Sequence, residues 1–100
     1  MVITGKLYRS MVVSAANTLY GKREEANNLN VFPVPDGDTG TNMSLTMSTV
    51  SKAEGDLPVG ECAEKVAALM LRSARGNSGA ILSLFFRGFA KALKGCDTLS

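Results

Sequence analysis

Apolar residues recur along this chain at helical rather than strand spacing. Leu7, Met11, Ala15 and Leu19 stand four apart, with Val12 and Ala16 widening the stripe, which predicts an amphipathic helix over residues 4–20 capped by Thr4. Gly21 reads as its stop, and residues 22–29 as a short polar helix. Over 30–40 the pattern changes: Pro33 and Pro35 push the residues before them towards extended conformations, and Asp36-Gly37 then Asp38-Thr39-Gly40 supply turn chemistry, giving a loop of fixed shape. A helix resumes near Thr41, with Met43, Met47 and Val50 at i, i+4 and i+7, and fades into a surface connection over 53–58. Another is predicted over 61–75, with Cys62, Val66, Leu69, Met70 and Ser73 on one face. Arg72 and Arg75 then fall in its last turn, where cations suit the helix dipole. After a break at 75–79, the last helix has Ile81, Leu84, Phe85, Gly88, Phe89 and Ala92 on its apolar side. Phe85, Phe86 and Phe89 read as core, as do Met43 and Met47. No alternation is long enough to support a strand, so the predicted fold class is all-α.

Composition narrows the function more than the fold. With 45% hydrophobic and 20% charged residues in 100, the chain is a folded globular one with a single core. A net charge of +2 from scattered Lys and Arg lacks the basic footprint of a nucleic-acid binder. The absence of histidine removes Ser-His-Asp and Cys-His catalysis and histidine-ligated zinc. Cys62 and Cys96 lack metal-ligand spacing and read as reduced, small hydrophobic residues, which together with the lack of a signal peptide gives a cytoplasmic expectation. No apolar run approaches the roughly 20 residues of a membrane span.

The remaining chemistry is carboxylates, hydroxyls, amides and bound ions. Asp36 and Asp38 stand two apart across a glycine, in a loop that can aim both carboxylates at one cation. Hard cations such as Mg²⁺ are commonly held by one or two carboxylates together with water and substrate phosphates. Gly40-Thr41-Asn42 then opens a helix whose free N–H groups and positive dipole end favour an anion. A solvated turn that merely caps the next helix accounts for the bare pentapeptide equally well. A calcium loop starting at Asp36 fails, because its glycine position falls on Thr41 and its glutamate position on Met47. In the second element, Gly76-Asn77-Ser78-Gly79, two glycines flank Asn77 and Ser78 at a helix start, letting backbone approach a ligand while Ser78 adds a hydroxyl. An ordinary interhelical turn is the competing account. No Gly-Lys pair has the surroundings of a P-loop.

The stretch Leu29-Asn30-Val31-Phe32-Pro33-Val34-Pro35-Asp36-Gly37-Asp38-Thr39-Gly40-Thr41-Asn42-Met43 closely resembles the N-terminal kinase domain of fatty acid kinase A subunits, relatives of the nucleotide-binding (DhaL-like) subunit of dihydroxyacetone kinases. Ala74-Arg75-Gly76-Asn77-Ser78-Gly79-Ala80-Ile81-Leu82, followed by Phe85-Phe86-Arg87-Gly88, is similar to that family's downstream motif. Ile3-Thr4-Gly5-Lys6 and the first helix also fit, so the resemblance runs along the whole chain. It implies the first half of an antiparallel helical barrel of about eight helices, with ATP or ADP bound at one rim through two Mg²⁺ ions. By the same resemblance Asp36 and Asp38 are metal ligands, and Thr39, Gly40, Thr41 and Asn42 lie where the family touches phosphate or metal. Asn77, Ser78 and Gly79 match the loop that approaches the phosphates. The sugar-kinase branch has a third aspartate upstream; the comparable position here is Asn30, which keeps a carbonyl oxygen but not the charge. The prolines favour the fatty acid branch.

Residues 1–100 are therefore expected to be the N-terminal part of one nucleotide-binding domain, inactive alone. In the full-length protein the resemblance implies transfer of the γ-phosphoryl of ATP to a fatty acid carboxylate. The acyl chain would be presented by a separate fatty-acid-binding protein, and the expected assembly is a homodimer. The alternatives are a dihydroxyacetone-type polyol kinase and a nucleotide- and metal-binding module without turnover.

Overall fold

The computed structural model describes residues 2–29, 38–53 and 56–98, excluding the Leu29 side chain. Five α-helices follow in order: α1 (Gly5–Gly21), α2 (Arg23–Leu29), α3 (Thr39–Thr46), α4 (Val59–Ser73) and α5 (Gly76–Ala92), with a 3-10 turn (Val50–Lys52) after α3. Among the described residues there is no strand element, and the fold class is all-α as expected.

The core is built around α4. Val59, Cys62, Ala63, Val66 and Met70 are fully buried there, joined by Tyr8 and Val12 of α1, by Met47, Val50 and Ala53 after α3, and by Ala90 and Leu93 at the end of α5. The apolar period of α4 makes this face legible, and the structure adds Ala63 and Ala67 to it. The helix starts two residues earlier than its pattern suggests because its first donors find distant partners. Val59 N–H donates to the Asp97 carbonyl and Gly60 N–H to that of Cys96, both at 3.0 Å. Arg9 ties α1 to the 3-10 turn in a similar manner, donating to the carbonyls of Ala53 and Ser51, each at 2.7 Å.

Three sequence expectations are corrected. In α1 the buried face runs through Tyr8, Val12, Ala16 and Leu19, while Met11 and Ala15 are exposed. A four-residue step advances about 40° beyond a full turn, so the Leu7-to-Leu19 series drifts across the surface instead of marking one face. The helix at 41–50 stops at Thr46. There the Thr46 hydroxyl donates to the Asn42 carbonyl (2.8 Å) and the Ser48 hydroxyl to that of Leu45 (2.7 Å), the local competition by which short hydroxyl side chains end helices. Met47 and Val50 are still buried, beyond the helix end.

The third correction concerns α5. Ile81, Leu84, Phe85 and Phe89 are exposed, and the buried positions are Gly79, Ser83 and Ala90, with Leu82 and Phe86 partly covered. α5 is apolar on two opposite sides, so periodicity could not choose between them. The small residues decide it, since they let the helix backbone come close to its neighbours. Phe85 and Phe89 instead pack edge to face on one another, 5.3 Å between centroids.

Cys62 lies in the core, where burial pushes its thiol pKa up against the opposing Arg9 charge. Beside it Tyr8 is buried with a hydroxyl that has no hydrogen-bond partner among the described residues, and burial, helped by Cys62, pushes its pKa up to about 12. Among the described residues, no helix is long and apolar enough to cross a membrane.

Candidate functional site

Helix starts are where this chain keeps its unpaired backbone donors, because the first four N–H groups of a helix lack an intrahelical acceptor. The four longer helices treat them differently. At α1 the Thr4 hydroxyl accepts from Leu7 N–H at 3.1 Å, and at α4 the Asp97 and Cys96 carbonyls fill the mouth. At α3 the cap position is held by Asp38, which makes no side-chain capping bond. At α5 the cap is Arg75, whose guanidinium has only donors and cannot cap at all. Arg75 thus belongs to the start of α5, rather than to the last turn of the helix before it.

The two mouths whose cap residues make no capping bond are neighbours. Gly76, the first residue of α5, abuts the Asn42 side chain in the first turn of α3, leaving no room for a Cβ. Its φ of +66° is a backbone conformation that glycine alone adopts without penalty. Gly79, one turn on, lies so close to Thr46 that a Cβ would overlap the hydroxyl. That hydroxyl accepts from Arg75 N–H at 3.1 Å while donating to the Asn42 carbonyl. Gly79 N–H returns to the Arg75 carbonyl at 3.1 Å, which leaves the amides of Gly76, Asn77 and Ser78 without helical partners. Two positive dipole ends side by side repel, and the exposed Arg75 cation adds to them; an anion placed there would relieve both.

A third helix braces the first mouth. Asn27 of α2 grips Thr41 twice: its Oδ1 accepts from Thr41 N–H at 3.0 Å and its Nδ2 donates to Thr41 Oγ1 at 2.9 Å. Gly40 is buried against the Arg23 carbonyl of the same helix.

Of the sequence-predicted residues, Asn42 lies against Gly76 and Gly79 against Thr46 across the α3–α5 seam, with Asn77 exposed and Ser78 half-buried in the first turn of α5. Thr39, Gly40 and Thr41 form the first turn of α3, which begins two residues earlier than expected, and Asp38 stands exposed just before it. Asp36 and Asn30 lie outside the described residues, so the proposed carboxylate pair is represented by Asp38. Among the described residues no three potential metal-ligating acids or thiols come together. Asp38 by itself fits a cation that takes one or two protein carboxylates and completes its shell with water and phosphate oxygens. The Asp38 carboxylate makes no cap, and Asp36 and Gly37 of the same turn lie outside the described residues. Sequence reasoning missed Asn27 and Thr46, and set Arg75 in the last turn of the preceding helix. Only Arg75, a poor capping residue directly before a glycine, carried a local signal.

Comparison with known sequences decides the family: the DAK2 domain description matches residues 33–100. The chain belongs to the DAK2 domain family. This family is related to dihydroxyacetone kinases. Over 98% of its length, the chain is 46% identical to an uncharacterized protein of Staphylococcus saprophyticus and 45% identical to one of Staphylococcus epidermidis. Over 92% it is 45% identical to an uncharacterized protein of Staphylococcus aureus. The chain spans 18% of the length of the first two relatives and 17% of the third. The DAK2 match includes both mouths but begins after Asn27, so the α2 brace lies outside the matched segment.

Proposed function

We propose that this DAK2 chain forms the metal and nucleotide site of an ATP-dependent kinase that phosphorylates a fatty acid carboxylate, giving an acyl phosphate. The observation that carries the reading is the pair of adjoining helix mouths whose own cap residues make no capping bond, with the exposed Asp38 carboxylate at the first of them. Anionic phosphate oxygens suit the amides of Gly76, Asn77 and Ser78, with the Ser78 and Thr41 hydroxyls as further donors. Asp38, with Asp36 and Asn30 as further candidates, would hold Mg²⁺. An ion held there would supply positive charge against the phosphates during phosphoryl transfer. The contribution of the chain is positioning: glycines admit the phosphates close to backbone, and Arg75 adds positive charge at the rim.

A separate acyl-presenting protein and a homodimeric assembly belong to the same proposal; the uncovered apolar face of α5 supports an additional contact there. The relation of the family to dihydroxyacetone kinases favours a second reading, in which a small polyol is the acceptor. A panel of fatty acids with candidate acyl-presenting proteins, run against dihydroxyacetone, separates the two. In the whole protein, Asp38→Ala is expected to abolish ATP-dependent phosphoryl transfer with helical circular dichroism unchanged. Transfer at the wild-type rate would contradict the assignment.

A further inference from the structure

We propose that Asn27 and Thr46 are the positioning residues of this site, setting the orientation and separation of the two helix mouths without themselves touching the ligand. The inference rests on the kinase reading and adds to it two side chains outside both sequence motifs.

Asn27 defines the donor pattern of the α3 mouth. The Thr41 amide needs an acceptor, which fixes the carboxamide with Oδ1 towards it and Nδ2 towards the Thr41 hydroxyl. Thr41 N–H is thereby withdrawn from any ligand. The hydroxyl, already accepting from Nδ2, keeps its single proton to donate elsewhere. Thr41 is exposed on its outer side, so that proton is available to a phosphate oxygen. Without Asn27 the same hydroxyl can turn its proton inward, and the amide is left seeking a partner.

Thr46 sets the second mouth against the first. It is fully buried, and its one hydroxyl meets the backbone at three residues: it donates to the Asn42 carbonyl in α3, accepts the Arg75 amide and lies against Gly79. Arg75 immediately precedes the positive-φ Gly76, so the anchored amide fixes the height at which α5 begins. A valine of the same shape would keep the packing and lose both hydrogen bonds; a serine would keep both bonds.

The test is calorimetric titration of magnesium ADP into the whole wild-type protein and its Asn27→Ala, Thr46→Val and Thr46→Ser variants, at a temperature where circular dichroism shows each folded. Asn27→Ala and Thr46→Val are each expected to weaken binding about tenfold, while Thr46→Ser stays within about twofold of wild type. A purely structural role would lower Tm in the first two variants and leave the Kd of the folded protein in place, which would overturn the proposal. Failure of the wild type to bind magnesium ADP would instead overturn the kinase reading itself, and this inference with it. Should Thr46→Val not fold, Asn27→Ala carries the same two outcomes.

Discussion

The starts of α1 and α4 differ from those of α3 and α5 in what the residue at the cap position and the nearby chain supply. At α1 a threonine hydroxyl closes the helix mouth, and at α4 two carbonyls of the C-terminal segment do so. At α3 and α5 the cap positions hold an acid that does not cap and an arginine that cannot. The packing around them follows the same division. α4 is held by fully buried apolar side chains, whereas the α3–α5 seam is held by glycine contacts and a threonine hydroxyl. Local stability is given up at the cap positions of α3 and α5, and natural proteins tolerate such losses chiefly at functional places.

Breaking the closed side should have the largest effect. Met70 is fully buried on α4, and Met70→Ala is expected to cost about 2–5 kcal/mol in denaturant unfolding. Nucleotide affinity of the remaining folded protein should be unaltered. Closing an open mouth sharpens the contrast. Arg75 already has the extended backbone of a capping residue, so Arg75→Asp should stabilise the fold by about 1 kcal/mol. The same change places a carboxylate where phosphate should sit, and nucleotide binding should weaken while Tm rises. Opening a closed mouth is the reverse experiment: Thr4→Ala should cost roughly 0.5–1 kcal/mol and leave nucleotide binding unchanged.

The smallest effect at neutral pH concerns Tyr8. Its hydroxyl has no partner among the described residues, so Tyr8→Phe should be neutral to slightly stabilising there. Its raised pKa means that the unfolded chain ionises first. The associated stability is fully present below the ordinary value of 10.0 and is lost as pH rises through about 12. The stability difference between Tyr8→Phe and wild type should therefore widen across that window and be flat below it.

The sequence made the helices readable because most of them bury one apolar face. It did not reveal which side of α5 is inward, because that helix is apolar on both and the choice is made by Gly79, Ser83 and Ala90 against their neighbours. The motifs located Asp38, Thr39, Gly40, Thr41 and Asn42 and the Asn77-Ser78-Gly79 turn, since glycine and short polar side chains at helix starts have local signatures. Asn27 and Thr46 were illegible for the opposite reason. Their partners lie 14 and 29 residues away, and an asparagine in a polar helix or a threonine at a helix end looks ordinary until the fold brings those partners in.

The most direct test of the account is a crystal structure of the whole protein with magnesium ADP. The diphosphate is expected at the joined starts of α3 and α5, within hydrogen-bond reach of the Gly76–Ser78 amides, with the metal on the Asp38 carboxylate. A diphosphate bound elsewhere, or a metal shell without Asp38, would contradict it.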